Sequence, residues 1–262
     1  LRVGCPQDSK AAGGPGSIAE QFAEAPLTVV MGGGYQYFAE PLINGETNSL
    51  QLAHRAGFSV IESWAEITQV PEESRLLGLF APTTMPVKWI GENGGKASPA
   101  RFDEDGQPLL SPAYSCVENP QFNGMPSLAA MTKNALARLS TNNPRGFFLM
   151  VESASIDKQS HFRRPCGSIG ELAQLDEALQ EILAFTKTHP NTLVLVTADH
   201  GQAAQLTPNI SLTSEQRERY VGPGYYARLK TEEGGILRVN YATNSSIIEE
   251  HTGVNVPLLA VG

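Results

Sequence analysis

No run of apolar residues in this 262-residue chain approaches the roughly 20 that a membrane-spanning helix requires. Positive charge is also scarce: 19 Lys and Arg stand against 27 Asp and Glu, a formal net charge of -8. No basic stripe is left for a phosphate backbone or an anionic membrane surface, so neither nucleic acid nor membrane is an expected partner. The opening residues Leu1 to Gly16 are polar and glycine-rich and lack the apolar core of a signal peptide. Internal repeats, heptads and low-complexity tracts are missing, which excludes solenoids and coiled coils. Cysteine is limited to Cys5, Cys116 and Cys166. An odd count hints at a missing partner in an exported protein, whereas in a cytosolic one these would be plain thiols.

What is present is an ordinary globular composition, 41% hydrophobic and 18% charged, enough for one sizeable core. A single domain over residues 1–262 is the expectation. The chain starts at Leu1 rather than Met and stops on the apolar run Pro257 to Gly262, which reads like a strand about to continue. Those two features predict a domain that is partial at its N-terminal end and also at its C-terminal end.

Strands and helices alternate. Leu27 to Met31 is a short β-branched run closed by Gly32-Gly33-Gly34, a helix is expected from Ser49 to Ala56, and Phe58 to Ile61 is a second short strand. Pro71 to Gln121 is rich in Pro, Gly, Asn and Ser and predicts mostly loop around the apolar stub Leu76 to Phe80. Ser127 starts a helix with Leu128, Met131, Ala135 and Leu139 at helical spacing. Gly146 to Val151 reads as a central strand buried on both faces. Ser168 and Glu171 suggest a capping box opening a helix to Thr188, and Leu193 to Thr197 reads as the matching central strand. Strand, helix, strand predicts a parallel βαβ unit, and the fold class is α/β with a largely parallel central sheet.

Ligands of such sheets bind beyond the carboxyl ends of the strands. After the first expected strand come Glu152 and then Asp157 and His161, four residues apart, which share one face if the stretch is helical. After the second come Asp199 and His200, which converge only if the chain turns, as Gly201 permits. Carboxylate with imidazole suits zinc, and carboxylate with hydroxyl or water suits magnesium. Two ions about 3.5 to 4 Å apart would stabilise both the attacking and leaving oxygens of a phosphoryl transfer. His54 and His189 are expected on the surface, and Trp64 and Trp89 in packing roles.

The stretch Gly146 to His161, Cys166-Gly167 and Val196 to His200 resembles the bacterial alkaline phosphatase family. Gly14 to Ile18 with Glu20-Gln21, Met31 to Gly34, Leu77 to Phe80, Met85-Pro86-Val87 and Glu250 to Gly253 follow in family order, so the likeness covers nearly the whole chain. The resemblance implies a three-layer sandwich with helices on both faces of the sheet. It also implies hydrolysis of phosphate monoesters through a phosphoserine, a homodimer, and a periplasmic or secreted location. Its cofactors would be two Zn2+ and one Mg2+. By similarity Asp157, His161 and His251 would hold one zinc, Asp199 and His200 the second, and Glu152 would help hold magnesium. Lys158 would sit near the phosphate. His251 enters only through the resemblance, since Glu250 to Gly253 alone reads as a loop.

The family's serine nucleophile, phosphate-gripping arginine and early bridging aspartate have no match in this sequence. Asp8-Ser9-Lys10 is read as a turn, and the nucleophile is expected upstream of Leu1, so the isolated chain is expected to be inactive. The likeness pairs Cys116 with Cys166 and leaves Cys5 with a partner just upstream. It also makes residues 203–242 a peripheral insertion between ligand motifs. A related phosphodiesterase or phosphonate hydrolase, or a non-catalytic zinc-binding fragment, is the alternative. Glu152 and the wording Ser155 to Gln159 favour the monoesterase.

Overall fold

A computed structural model describes residues 16–42, 45, 47–105, 108–207, 224–244 and 246–262. Cys5 and Asp8-Ser9-Lys10 lie outside the described residues. The rest divides into two compact units, Leu1–Pro86 with Gln121–Val151, and Val87–Pro120 with Glu152–Gly262.

The first unit is built on a parallel sheet in the order β1-β3-β2, where β1 is Val29–Gly32, β2 Phe58–Ile61 and β3 Arg75–Leu79. Leu76 pairs with Val29 on one side and Ser59 on the other. The middle strand is therefore the apolar stub, in a region whose Pro and Gly content predicts loop. Burial on both faces, rather than composition around it, makes this run a strand.

Alternate residues of β3 serve opposite layers. Leu77 and Leu79 pack with Ala19, Ala23, Phe38 and Ala53 from helices α1 (Ile18–Glu24), α2 (Tyr35–Ala39) and α3 (Ser49–Arg55). Leu76 and Phe80 pack with Met131 of helix α4 (Leu128–Ser140). Helices thus cover both faces of a parallel sheet, which is the predicted α/β class.

Local chemistry starts these helices. Ser127 Oγ accepts the Ala130 N–H at 3.1 Å to open α4, and Asn48 with Gln51 forms a reciprocal capping box on α3. Buried Arg138 of α4 donates to the carbonyls of Pro71 at 2.7 Å and Val70 at 3.1 Å, closing the turn that leads into β3.

Gly146 to Val151 departs from its prediction. It forms no strand, and Phe148 and Met150 are 88% and 72% exposed. A strand exists through its ladder partners, and none lies beside this run among the described residues.

In the second unit helix α5 (Ser155–His161) leads through a tight turn into the long helix α6 (Pro165–Thr188). Helix α6 starts one residue after Arg164 with Pro165 in its first turn, so Ser168 and Glu171 lie inside it and form no capping box. Proline at the first helical position has a preset φ and needs no N–H partner. Ser168 Oγ instead donates to the Ile156 carbonyl at 3.0 Å, tying α6 to α5. Glu171 accepts the Lys88 N–H at 2.9 Å.

Short strands surround α6. The ribbon of β4 (Trp89–Gly91) and β8 (Cys116–Glu118) is joined to it by a Cys116–Cys166 disulfide, the predicted pair. Between them in sequence, β5 (Ser98–Pro99), β6 (Arg101–Phe102) and β7 (Pro108–Leu109) are two-residue pieces. After α6 come β9 (Val194–Thr197), β10 (Gly201–Gln202), β11 (Gln205–Thr207), β12 (Tyr225–Lys230), β13 (Ile236–Tyr241), β14 (His251–Thr252) and β15 (Leu258–Val261).

An antiparallel sheet in the order β11-β13-β12-β5 carries most of residues 203–242 that are described. Ala203, Ala227, Leu229, Val239 and Tyr241 from that segment are buried with Cys166 and Ala97, so these residues are part of the unit's core. The strand β9 corresponds to the predicted run but pairs antiparallel with β15, Val196 opposite Leu259, instead of in parallel within a βαβ unit. No helix among the described residues is long and apolar enough to cross a membrane.

Candidate metal centre

Helix α5 places Asp157 and His161 one turn apart on the same face, as their spacing predicts. Asp157 Oδ2 lies 3.2 Å from His161 Nε2. The other imidazole nitrogen, Nδ1, donates to the backbone carbonyl of Glu249. A proton held on Nδ1 leaves the Nε2 lone pair free to act as a ligand.

His251 arrives by strand pairing. Residues β10 and β14 form a two-residue antiparallel ladder with Gln202 opposite His251 and Gly201 opposite Thr252. A Cβ at Gly201 would lie 2.3 Å from Val254 Cγ2 and 2.7 Å from Thr252 Oγ1, so those two side chains would have to turn aside to admit it. The pairing sets His251 Nε2 at 3.2 Å from Asp157 Oδ1 and 3.0 Å from His161 Nε2. Gln202 adds a hydrogen bond from Nε2 to Asp157 Oδ1, and its own Oε1 accepts the Ala203 N–H at 2.8 Å, which settles the amide's orientation.

One ligand atom from each of Asp157, His161 and His251 lies within 4.8 Å of the other two. Two nitrogens and a carboxylate oxygen form a known ligand set for zinc. Zinc–ligand bonds of about 2.0 to 2.1 Å in a tetrahedron put neighbouring ligand atoms roughly 3.3 Å apart. The 3.0 and 3.2 Å separations here are close to that spacing, so the residues fit the ion.

The remaining predicted residues are arranged differently. The chain bends at Asp199 and His200, as expected, and brings Asp199 Oδ2 within 3.4 Å of His200 Nε2. The His200 ring stacks on His251 at 3.5 Å between centroids. Asp199 is 86% exposed, and this pair stands outside the group of three. Glu152 and Lys158 are exposed, and Glu152 is likewise outside the group. Gln202 and Glu249 were not legible as site residues, because a lone Gln after His200 and a Glu before Glu250 carry no spacing signal.

The family model for alkaline phosphatase matches residues 2–258. The chain belongs to the alkaline phosphatase family. It is 41% identical over 266 residues to an alkaline phosphatase of Escherichia fergusonii, covering 98% of this chain and 52% of that protein. A streptomycin-6-phosphate phosphatase of Streptomyces griseus is 37% identical over 98% of this chain and 56% of its own length. The chain spans about half the length of these relatives.

Among solved alkaline phosphatases, that of the Antarctic bacterium TAB5 shares the fold with a TM-score of 0.60 at 22% identity, covering 94% of this chain and 56% of that one. The Thermus thermophilus alkaline phosphatase gives a TM-score of 0.55 at 27% identity over 72% of this chain and 34% of its own. The alkaline phosphatase match at residues 2–258 includes α5 and the β10–β14 ladder, which bring Asp157, His161 and His251 together.

Proposed function

We propose that this chain supplies the zinc-binding part of a phosphate monoester hydrolase, with Asp157, His161 and His251 holding one zinc. The observation that carries the reading is the convergence of those three side chains, from helix α5 and strand β14, at separations that suit a tetrahedral ion. Zinc bound there supplies Lewis-acid polarisation of a phosphoryl oxygen and acidifies a bound water. The residues' part is positional. Asp157 contributes the negative charge, Gln202 holds its carboxylate, and the Glu249 carbonyl keeps the His161 ring turned with Nε2 inward.

Asp199 and His200 are proposed to hold a second zinc, Glu152 a magnesium, and Lys158 to offset charge on the phosphate. Phosphoserine formation, which the family resemblance implies, needs a serine outside the residues assigned here. A homodimer and a periplasmic or secreted setting belong to the same reading, and the Cys116–Cys166 bridge favours an oxidising compartment.

The test is a zinc titration of the purified chain against a chromophoric chelator, followed by dialysis of the zinc-loaded chain with phenyl phosphate or diphenyl phosphate. One tight zinc lost in His251→Ala, with the dianionic monoester retained in preference to the diester, is the expected result. Zinc held equally well without His251 would remove the ligand assignment. Preference for the diester would move the reading to a phosphodiesterase.

A further inference from the structure

Two residues after His161 and two before His251 stand Arg163 and Glu249, and their side chains meet. Arg163 Nε lies 2.7 Å from Glu249 Oε1, with the two side chains 6% and 0% exposed. Each of the other two guanidinium nitrogens also finds a carbonyl. Nη2 donates to the Ser246 carbonyl at 2.8 Å and Nη1 to that of Ile247 at 3.3 Å, while the planar group covers the Tyr225 ring at 3.7 Å. The second carboxylate oxygen of Glu249 accepts from Thr243 Oγ1.

The backbone closes the same link in both directions. The Glu249 N–H donates to the His161 carbonyl at 2.9 Å, and the Glu249 carbonyl accepts from His161 Nδ1. Residues 246–250 have no helix or strand of their own, and the strand that follows has only two ladder residues. The position of His251 therefore depends on what grips Glu249.

Arg163 itself has a left-handed backbone, φ 56°, at the exit of α5. An arginine rests in that region only where its surroundings over-determine it. Its three donor positions and its ring contact do so.

We infer that the buried Arg163–Glu249 pair is a positioning device that holds His251 and His161 at metal-ligating separation. The inference rests on the proposed zinc reading of Asp157, His161 and His251. A buried ion pair is poor evidence for added stability, since well-packed apolar side chains often replace one without loss. Its use here is registry. It clamps an irregular segment to a helix end by directional bonds that an apolar contact would not reproduce. Partners that orient metal ligands in this way change metal affinity by about 10- to 100-fold when removed.

The experiment compares the unsubstituted chain with Glu249→Gln and with the double variant Arg163→Met/Glu249→Leu. The double variant removes both charges and so avoids leaving one buried alone, which could unfold the single variant. Readouts are zinc affinity by chelator competition, the visible absorption of the Co2+-loaded chain, and amide hydrogen exchange at Glu249 in the metal-free chain. The expected result is a zinc affinity lower by about 10- to 100-fold, a cobalt spectrum altered from the unsubstituted one, and lost protection of the backbone amide at position 249, with the far-UV circular dichroism retained. Arg163→Lys, which keeps the charge but not the fork to Ser246 and Ile247, is expected to fall between.

A folded double variant with unchanged zinc affinity, cobalt spectrum and exchange would overturn the inference. Failure of the zinc reading looks different. There the unsubstituted chain binds no zinc, while exchange at Glu249 still reports whether the pair holds the segment.

Discussion

His161 Nε2 and His251 Nε2 lie 3.0 Å apart although 90 residues separate them in the chain. Two imidazole nitrogens at that distance either share a proton or face a cation between them, because two lone pairs repel. The Asp157 carboxylate spans the two rings, Oδ2 lying 3.2 Å from His161 Nε2 and Oδ1 3.2 Å from His251 Nε2.

Removing a ligand is expected to cost more than removing its support. His251→Ala should weaken zinc binding by more than the roughly 100-fold at the upper end for supporting residues. Chelator competition measures this, and a loss smaller than that of the Arg163→Met/Glu249→Leu variant would mean that His251 is not a ligand.

Gly201→Ala should disturb the same centre from the strand side. Its Cβ would meet Val254 Cγ2 at 2.3 Å and Thr252 Oγ1 at 2.7 Å, displacing both side chains beside the β10–β14 ladder. Overpacking of this kind costs about 1 to 3 kcal/mol. Urea denaturation should show that loss together with weakened zinc binding, whereas full stability would show that both side chains can turn aside without penalty.

The disulfide links β8 to the first turn of α6 across 50 residues. Closing a loop of that length constrains the unfolded chain by about 4 kcal/mol on the chain-entropy model. Cys116→Ser/Cys166→Ser should lower the urea midpoint, and added reductant should lower that of the unsubstituted chain alike. A midpoint indifferent to both changes would contradict this.

In the first unit, Arg138→Leu would leave the carbonyls of Val70 and Pro71 without their donor. Unpaired buried polar groups cost roughly 1 to 3 kcal/mol. Proteolysis at residues 70–74 is the sensitive readout, and it should accelerate before global unfolding does.

Alkali should unfold the second unit. The hydroxyls of Tyr114 and Tyr241 are buried without a hydrogen-bond partner among the described residues, and burial raises both phenols above their ordinary value. A raised folded pKa keeps its full stabilisation below the unfolded value near pH 10 and loses it as pH rises further. Tyrosinate absorbance and circular dichroism should therefore change together above about pH 10. Tyrosines that ionise while the fold persists would show that these hydroxyls reach water.

Short-range rules served where neighbours in sequence are neighbours in space. The start of α4 at Ser127 and the strand β2 follow from capping and β-branching. They failed where a partner had to be supplied. Gly146 to Val151 has a strand's composition but no ladder among the described residues, whereas Leu76 to Leu79, set in loop-like sequence, becomes the central strand because β1 and β2 flank it. Ser168 and Glu171 have the wording of a capping box, but Pro165 starts the helix earlier and turns both side chains to tertiary bonds.

The proposed metal centre divides along the same line. Asp157 and His161 were determined by sequence, since 3.6 residues per turn puts positions four apart on one helix face whatever surrounds them. His251 was marked by family wording alone, and its place was decided by the β10–β14 ladder and the grip of Arg163 on Glu249. Contacts that span 86 to 90 residues depend on which surfaces pack and which buried charges meet, and no local period in a sequence encodes that.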